Sequence, residues 1–162
     1  MREIISIAPG RSCLFGDHQD YLGLPIIACA ISRHITLHAT ENNERCFNVS
    51  KPDINKTRKI EFDAITSDMN VIGDHLMSVL KVVRKHDCIP DRGYDVKVTG
   101  NIPINAGTSS SSAVVIAWTK FLLEAFGCNK EVTPELVSNI GYEAEVVEQN
   151  ASGGKMDQYS IG

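Results

Sequence analysis

A run of small and hydroxyl-bearing residues, 102–113, has the composition of a phosphate-binding turn. It follows an alternating segment typical of a strand, 94–99, and it precedes apolar residues at helical spacing in 114–126. The run therefore opens a helix, where unpaired backbone N–H groups and the helix dipole attract an anion. Ala106 and Gly107 leave room for a phosphate, and the serines that follow add hydroxyl groups.

Two interpretations of this run remain open from its residues alone. One is a phosphate site, and the other is an ordinary helix start that is capped by serine. The familiar P-loop is excluded, because that motif ends in Gly-Lys-Ser or Gly-Lys-Thr and no lysine follows the glycine of this run. A nucleotide site at this position would have to be of another type.

Two further polar clusters could take part in the same chemistry. The upstream cluster has Arg11 with Asp17, His18 and Asp20, and the downstream cluster has Glu145 with Asp157. Phosphoryl transfer needs a phosphate cradle, a metal held by oxygen ligands, a cation near the developing charge and often a carboxylate beside the attacking hydroxyl. Taken singly, Asp20 could be a turn residue, His18 a loop contact and Glu145 a solvated helix position. Together the clusters indicate phosphoryl transfer.

The composition narrows the class of protein. The 162 residues suit one domain or lobe, and a chain of this length buries about 70% of its unfolded surface. A net charge of -4 without a basic stripe argues against nucleic acid as a partner. Five scattered cysteines without a Cys-x-x-Cys pair argue against a disulfide scaffold or a zinc site. No stretch predicts a membrane span, so we expect a soluble cytoplasmic protein.

The hydrophobic pattern predicts a protein with both strands and helices. Strands are predicted at 3–8, where Pro9 and Gly10 end the first one, and at 25–31, 35–40, 46–50, 59–62 and 94–99. Helices are predicted at 71–85, at 114–126 and from Pro134, capped by Thr133, to about residue 148. The last residues, 159–162, have the pattern of an entry into another strand, and we expect the chain to be a fragment.

These clusters resemble a kinase family in their order and residue types. Segments 8–11, 14–18 and 20–21 resemble the first motif of galactokinases, in the superfamily of galactokinase, homoserine, mevalonate and phosphomevalonate kinases. Residues 103–113 resemble its ATP phosphate loop, and 144–145 with 154–158 resemble the stretch that holds the metal-binding glutamate and the catalytic aspartate. The resemblance covers the whole chain. It implies the N-terminal lobe of that fold, an α/β or α+β lobe with a mixed, largely antiparallel sheet packed against helices.

The resemblance also implies a role for each matching residue. Asp157 would accept or orient the proton of the sugar hydroxyl, and Arg11 would stabilise the charge on the transferred phosphoryl group. Mg²⁺ would be held by Ser111 and Glu145. The sugar would be bound by Asp17, His18, Asp20 and Gly154. The residues implied for ATP binding are Pro103, Ala106, Gly107, Thr108, Ser109, Ser110, Ser111, Ser112 and Ala113.

Three positions depart from the galactokinase pattern. Asp17 stands where galactokinases usually have glutamate, so its contact with a sugar hydroxyl would differ. Thr108 replaces the usual leucine, and Lys155 replaces an apolar residue. We expect the Lys155 ammonium to approach a phosphate or an anionic group of the substrate. The segments 14–18 and 23–25 also resemble mevalonate kinases.

The sequence therefore predicts an ATP-dependent kinase that phosphorylates a sugar hydroxyl, with C1 of galactose or a related hexose as the expected acceptor. A mevalonate-kinase-like enzyme and a non-catalytic sugar sensor on the kinase scaffold remain alternatives. We expect residues 1–162 to form the N-terminal lobe and the second lobe to lie outside this chain, in which case the chain alone would not turn over. The expected partners are a sugar and ATP; no oligomeric state is predicted, and a monomer is compatible with the sequence.

Overall fold

The computed structural model describes residues 1–103 and 107–162 as one five-stranded sheet with helices packed against it. The strands are Glu3–Phe15 (β1), Ile27–Asn42 (β2), Cys46–Lys51 (β3), Lys56–Glu61 (β4) and Gly93–Gly100 (β5). The α-helices are His75–Arg84 (α1), Ser110–Phe126 (α2), Pro134–Tyr142 (α3) and Met156–Ile161 (α4). Short 3₁₀ helices lie at Asp20–Leu22, Pro52–Ile54 and Phe62–Ala64, and a π-helical segment lies at Glu143–Val147.

The strands lie in the order β1-β2-β5-β3-β4. Only β3 and β5 run parallel to each other within the described residues, and the other neighbouring strands are antiparallel. The crossover between these two parallel strands contains β4 and α1, as a parallel connection requires a long excursion of the chain. The predicted fold class, a mixed and largely antiparallel sheet packed against helices, is confirmed.

The side chains of β1 alternate between a helix-covered face and an outer face. Ile4, Ser6 and Ala8 are buried, whereas Ile5 and Ile7 are 65% and 52% exposed. Because successive side chains of a strand point to opposite faces, this alternation identifies the covered face of the sheet. The hydroxyl of Ser6 donates to the carbonyl oxygen of Ala117 at 2.8 Å, which ties β1 to α2.

An aromatic cluster joins α2 to the central strands on this covered face. The ring of Phe47 lies 5.1 Å from that of Trp118, in an edge-on arrangement, and the ring of Tyr94 lies 5.1 Å from that of Phe121. The indole N–H of Trp118 donates to the carbonyl oxygen of Leu76 at 3.2 Å, which satisfies its one polar group. Such buried rings remove large apolar areas from water and are a main source of stability.

Both β1 and β2 are longer than their predicted counterparts. Pro9 and Gly10 do not end β1, because a shift in register between Pro9 and Arg11 accommodates them within the pairing with β2. The predicted strands 25–31 and 35–40 belong to the single strand β2. A continuous apolar run such as 25–31 is typical of a buried strand, yet Ile27 is 56% exposed. The reason is that pairing with β5 begins only at Ile35, so residues 27–34 lie beside β1 alone.

We call this part of the hairpin, residues 11–15 of β1 and 27–34 of β2, the β1–β2 arm. Its exposed apolar side chains include Leu14 and Phe15, at 56% and 70% exposure.

The helices differ from their predicted bounds at the ends. Helix α1 begins at His75 because the side chain of Asp74 accepts the N–H of Met77 as an N-cap, and Ile72 lies outside it. Thr133 caps α3 as predicted, by accepting the N–H of Leu136. The predicted helix to residue 148 divides into α3 and the π-helical segment. The segment 159–162 is not a strand entry, because residues 159–161 continue α4.

Candidate active site

The two residues predicted to be catalytic form an ion pair. Nε of Arg11 donates to Oδ1 of Asp157 at 2.6 Å, and Nη1 of Arg11 donates to the carbonyl oxygen of Gly107 at 2.6 Å. The exposed fraction is 11% for the Arg11 side chain and 28% for that of Asp157. Water screens such a pair less than one on the open surface, so the attraction is stronger. The arginine thereby connects the carboxylate to the turn before α2.

Two serines of the same turn contact the second oxygen of Asp157. The hydroxyl of Ser109 donates to Oδ2 at 2.6 Å, and that of Ser112 donates to the same oxygen at 3.3 Å. Residues three apart at a helix start lie on one side, which explains why both reach one carboxylate. Ser111 lies between them in sequence and is exposed on another side.

Ser109 does not cap α2 through its side chain, as the capping interpretation requires. It occupies the N-cap position, but its side chain makes no capping hydrogen bond, and its φ of 54° is left-handed. This conformation costs a non-glycine residue about 1–2 kcal/mol. Its hydroxyl is committed to Asp157 instead. The strain and the hydrogen bond together indicate that this turn is shaped for the site rather than for helix stability.

The turn is also held against β1. The backbone N–H of Arg11 donates to the carbonyl oxygen of Thr108 at 3.2 Å, and the Thr108 hydroxyl donates to the carbonyl oxygen of Pro103 at 3.3 Å. A Cβ on Gly10 would lie 2.9 Å from that Thr108 oxygen, so the close approach needs glycine there. The threonine that replaces the family's usual leucine therefore contributes a hydrogen bond within the turn.

Asp20 anchors the chain just before Asp157. Its Oδ1 accepts the N–H of Lys155 at 3.1 Å, and its Oδ2 accepts the N–H of Met156 at 2.9 Å. A Cβ on Gly154 would lie 2.1 Å from the carboxyl carbon of Asp20, so only glycine fits. Two residues predicted to bind the substrate are thus in direct contact. The 3₁₀ helix that carries Asp20 is fixed to the start of α4.

The other residues with predicted roles are less closely connected. Asp17 and His18 are exposed in the turn before the 3₁₀ helix, and their side chains make no hydrogen bond within residues 1–103 and 107–162. Pro103 is exposed, Ser110 is half-buried, and Ala113 is fully buried in the core. Ala106 lies outside the described residues.

Glu145 lies on the π-helical segment and is held by α4. Nε2 of Gln158 donates to Oε2 of Glu145 at 2.7 Å. The same short helix therefore carries Asp157, bonded to Arg11 and the serines, and Gln158, bonded to Glu145. Among the described residues, no group of three or more His, Cys, Asp or Glu side chains could hold a metal ion.

Two neighbouring cavities adjoin the start of α2. Lys51, Ser111 and Val114 line both of them, and their volumes are about 480 Å³ and about 340 Å³. Lys56 and Arg58 also line the larger one. Burial lowers the pKa of Lys51, and the charges of Lys56 and Arg58 lower it further. Asp74 also lines the larger cavity and pairs with Arg58, so Lys51 and Lys56 give this cavity its excess positive charge, and we call it the cationic cavity.

Sequence reasoning did not assign any role to these three cations. The available signal was the pair of basic positions on either side of the turn 52–55, which a strand hairpin brings together.

Lys155 has aromatic rather than anionic neighbours. Its ammonium lies 5.3 Å from the ring centre of Tyr142 and 5.6 Å from that of Tyr159, within the range of cation–π attraction. The expected approach of the Lys155 ammonium to a phosphate or an anionic substrate group stays a prediction. The hydroxyl of Tyr159 donates to Asn139 at 2.6 Å, so this arrangement joins α4 to α3.

No helix in the described part of the chain has the length and apolar character needed to cross a membrane.

Comparison with known proteins gives the family context. The family model described as GHMP kinases N terminal domain matches residues 74–162, and a galactokinase galactose-binding signature matches residues 2–41. Galactokinase from Thermosipho africanus is 32% identical over 158 residues, covering 94% of this chain and 41% of that protein. Mevalonate kinase from Thermococcus sibiricus is 28% identical over 159 residues, covering 93% of this chain and 47% of that protein.

Solved structures show the same fold. Methanococcus jannaschii mevalonate kinase superposes with a TM-score of 0.85 at 24% identity, covering 99% of this chain and 51% of that one. Lactococcus lactis galactokinase complexed with galactose gives a TM-score of 0.81 at 20% identity, covering 98% of this chain and 41% of that one. The chain thus spans less than half the length of the curated relatives named above. With a family model that matches more than half of its residues, this chain belongs to the GHMP kinases and carries their N-terminal domain.

Proposed function

We propose that this chain is the N-terminal lobe of a kinase that transfers the γ-phosphate of ATP to a hydroxyl of a sugar, most simply C1 of galactose or a related hexose. In this proposal residues 1–162 carry the sugar-binding and phosphate-loop motifs. The second lobe belongs to the remainder of a longer protein, and the curated relatives are more than twice as long as this chain.

The observation that carries the proposal is the environment of Asp157. One of its oxygens accepts from the Arg11 guanidinium, and the other accepts from the hydroxyl of Ser109 at the start of α2. A carboxylate, a cation and a helix start suited to phosphate therefore meet at one point. An acceptor hydroxyl beside Asp157 would lie next to a phosphoryl group bound at α2.

The proposed reaction uses this arrangement. The acceptor oxygen forms a bond to the γ-phosphorus while the bond from that phosphorus to the bridging oxygen of ADP breaks. Asp157 orients the acceptor hydroxyl and receives its proton. Arg11, already within hydrogen-bond distance of Asp157, stabilises the negative charge shared by the carboxylate and the transferred group.

The cationic cavity supports nucleotide binding beside the serine turn. Ser111 lines this cavity together with Lys51 and Lys56, so a polyphosphate reaching from it to the α2 start would meet positive charge along its path. A bound phosphate would oppose the burial that lowers the pKa of Lys51, because an anion favours the charged form.

A magnesium ion fits the donors that we assign to it. Glu145 and Ser111 offer only oxygen atoms, which Mg²⁺ prefers, and Oε2 alone of the Glu145 carboxylate is hydrogen bonded within the described residues. When bound, the ion would neutralise charge on the ATP phosphates. Ser111 would contribute its exposed hydroxyl, and Glu145 its free oxygen.

The sugar assignment is supported by the first forty residues. The galactose-binding signature matches residues 2–41, which include Asp17, His18 and Asp20. Paired carboxylates suit sugar recognition, because each can accept two hydroxyl hydrogen bonds in fixed directions. Mevalonate is the second candidate acceptor, since mevalonate kinases from Thermococcus species are 26–28% identical to this chain over 159 residues.

A coupled assay for ADP release on the full-length gene product tests the proposal. The panel contains galactose, other hexoses, mevalonate and homoserine, with ATP alone as the blank. Turnover of a hexose supports the assignment, whereas turnover of mevalonate or homoserine with every sugar inactive refutes the sugar acceptor. Sugar binding by calorimetry without ADP release would indicate a sensor instead of a kinase.

A further inference from the structure

Gln158 is a buried polar side chain whose hydrogen bonding is limited to a proposed metal ligand. It is 2% exposed, and its Nε2 donates to Oε2 of Glu145 at 2.7 Å. Its own Oε1 is buried without a hydrogen-bond partner among the described residues. Buried amides normally satisfy both ends. A purely packing role would be served better by an apolar side chain of the same length.

The fold leaves space for this amide by placing a glycine in α3, which lowers the stability of that helix. Gly141 lies inside α3, where glycine disfavours the helix. A Cβ at that position would lie 2.6 Å from Cδ1 of Ile116 and 3.3 Å from Cγ of Gln158. The glycine therefore lets α2 and the Gln158 side chain approach α3 closely.

The backbone beneath Glu145 gives an independent reason for an external support. Glu145 lies in the π-helical segment Glu143–Val147, where the regular i to i-4 hydrogen bonds are interrupted. Oε1 of Glu145 has no hydrogen bond within the described residues, and Oε2 has only the one from Gln158. The direction of this carboxylate is thus set by a single neutral donor.

We propose that Gln158 is a positioning residue that orients Glu145 for the divalent cation of the bound nucleotide. The inference rests on the proposed function, because it takes Glu145 as a ligand of that cation. A carboxamide suits this role because it donates a hydrogen bond to one oxygen, leaves the other free for the metal, and adds no charge that would alter the pairing. The reacting carboxylate, Asp157, and the residue that orients the metal ligand, Gln158, are then neighbours in α4.

The test compares Gln158→Met and Gln158→Glu with the unmodified full-length protein. For each we would measure the Mg²⁺ concentration that gives half-maximal turnover, the KM for the acceptor, the affinity for Mn²⁺-ATP by calorimetry without acceptor, and Tm. In Q158M we expect the Mg²⁺ concentration for half-maximal turnover to rise about tenfold. The affinity for Mn²⁺-ATP should fall by about the same factor, as for other residues that orient metal ligands. The acceptor KM should stay within about twofold, and Tm should be unchanged or higher because the unpaired oxygen is gone.

Q158E keeps the shape and replaces the donor with a carboxylate. We expect weak metal binding at neutral pH, because two carboxylates then face each other, and recovery as the pH falls and the new group becomes a protonated donor. A role in packing alone would not produce this pH dependence. The variant also keeps the proposal testable if Q158M fails to fold.

A double-mutant comparison with Glu145→Gln separates the inference from the function on which it rests. If Gln158 acts through Glu145, Q158M should have no further effect on metal dependence in the E145Q protein. Normal metal dependence in Q158M, together with a large defect in E145Q, overturns the inference and leaves the function standing. Normal metal dependence in E145Q itself refutes the metal role of Glu145 and with it the inference.

Discussion

The two ends of α2 lie in regions of opposite character. In its second half, which begins at Trp118, Trp118 and Phe121 are fully buried in the aromatic cluster, and the indole N–H donates to the carbonyl oxygen of Leu76. At its first turn, Ser109 is in a strained left-handed conformation and its hydroxyl serves Asp157. The first region buries apolar area and satisfies the indole N–H, and the second accepts backbone strain to direct polar groups.

Stability and the proposed chemistry therefore depend on separate residues of one helix. The aromatic cluster fixes the axis of α2 against β3 and β5, so the serine turn can be strained without loss of the fold. It also means that substitutions in the two regions should have distinguishable consequences.

Asp157→Asn should affect activity far more than folding. The asparagine can still accept from Arg11 but cannot take up a proton, so we expect turnover to fall by about 100- to 10,000-fold. Steady-state kinetics of the full-length protein would measure this loss, with ATP affinity retained. A rate close to that of the unmodified protein would refute the catalytic role and remove the contrast between the two ends of α2.

Phe121→Ala should affect folding directly. Phe121 is fully buried, and removing such a ring costs about 3–5 kcal/mol of unfolding free energy. Phe15→Ala in the β1–β2 arm is the matched control, because Phe15 is 70% exposed and its loss should change stability by less than about 0.5 kcal/mol. Denaturant unfolding measures both. Equal costs would mean that the aromatic cluster is not the stabilising region.

Gly154→Ala should disturb the site with a moderate cost in stability. The new Cβ would lie 2.1 Å from the carboxyl carbon of Asp20, so one of the two segments must move, at about 1–3 kcal/mol. We expect the acceptor KM to rise more than the KM for ATP. The control is Gly153→Ala, whose Cβ would lie 3.3 Å from a side-chain methyl group of Val146, a tight contact that a small shift of this side chain relieves. Indistinguishable kinetics for the two variants would contradict the Asp20 contact.

Removal of the ion pair between Arg58 and Asp74 should change the stability of the fold less than the substitutions above. Burial raises the pKa of Asp74, but the hydrogen bonds from Arg58 and from the Met77 N–H outweigh burial. The resulting pKa lies below its ordinary value of 3.8. A carboxylate with a lowered folded pKa stabilises the fold above its unfolded pKa, and this contribution is lost as the pH falls through the folded pKa.

Asp74→Ser retains a capping side chain for α1 and removes the ion pair. We expect it to cost less than about 1 kcal/mol at pH 7, and the difference from the unmodified protein should vanish once the pH has fallen below the lowered folded pKa of Asp74. Thermal unfolding at several pH values measures this. A cost that persists at low pH would mean that serine is the poorer cap rather than that a charge pair was lost.

Much of the fold could be predicted from hydrophobic periodicity. Helix α2 was predicted at 114–126 and runs from Ser110 to Phe126, because its buried side chains recur at helical spacing. The predicted cap at Thr133 is confirmed by its hydrogen bond from Leu136. Continuity of β2 could not be predicted, since its outer half lies beside β1 alone and its apolar residues remain exposed.

The site could be predicted only in part. Arg11 and Asp157 are 146 residues apart, and nothing in their local sequence indicates that they meet; the resemblance to a family brought them together. The serines could be identified from the sequence as polar groups at a helix start. Their hydrogen bonds to Asp157 could not be predicted. That choice depends on the backbone conformation of Ser109, which is stabilised by tertiary contacts.

The π-helical segment makes the site sensitive to the length of the chain. A π-helical turn accommodates one residue more than an α-helical turn between the same flanking positions, so Glu143–Val147 corresponds to a one-residue insertion. Deleting one residue there would restore a regular helix. It would also rotate Glu145 by about 100° relative to the part of the helix on the other side of the deleted residue. The loss of a single codon would therefore produce a more regular helix and a carboxylate that no longer faces Gln158, with almost no change in composition.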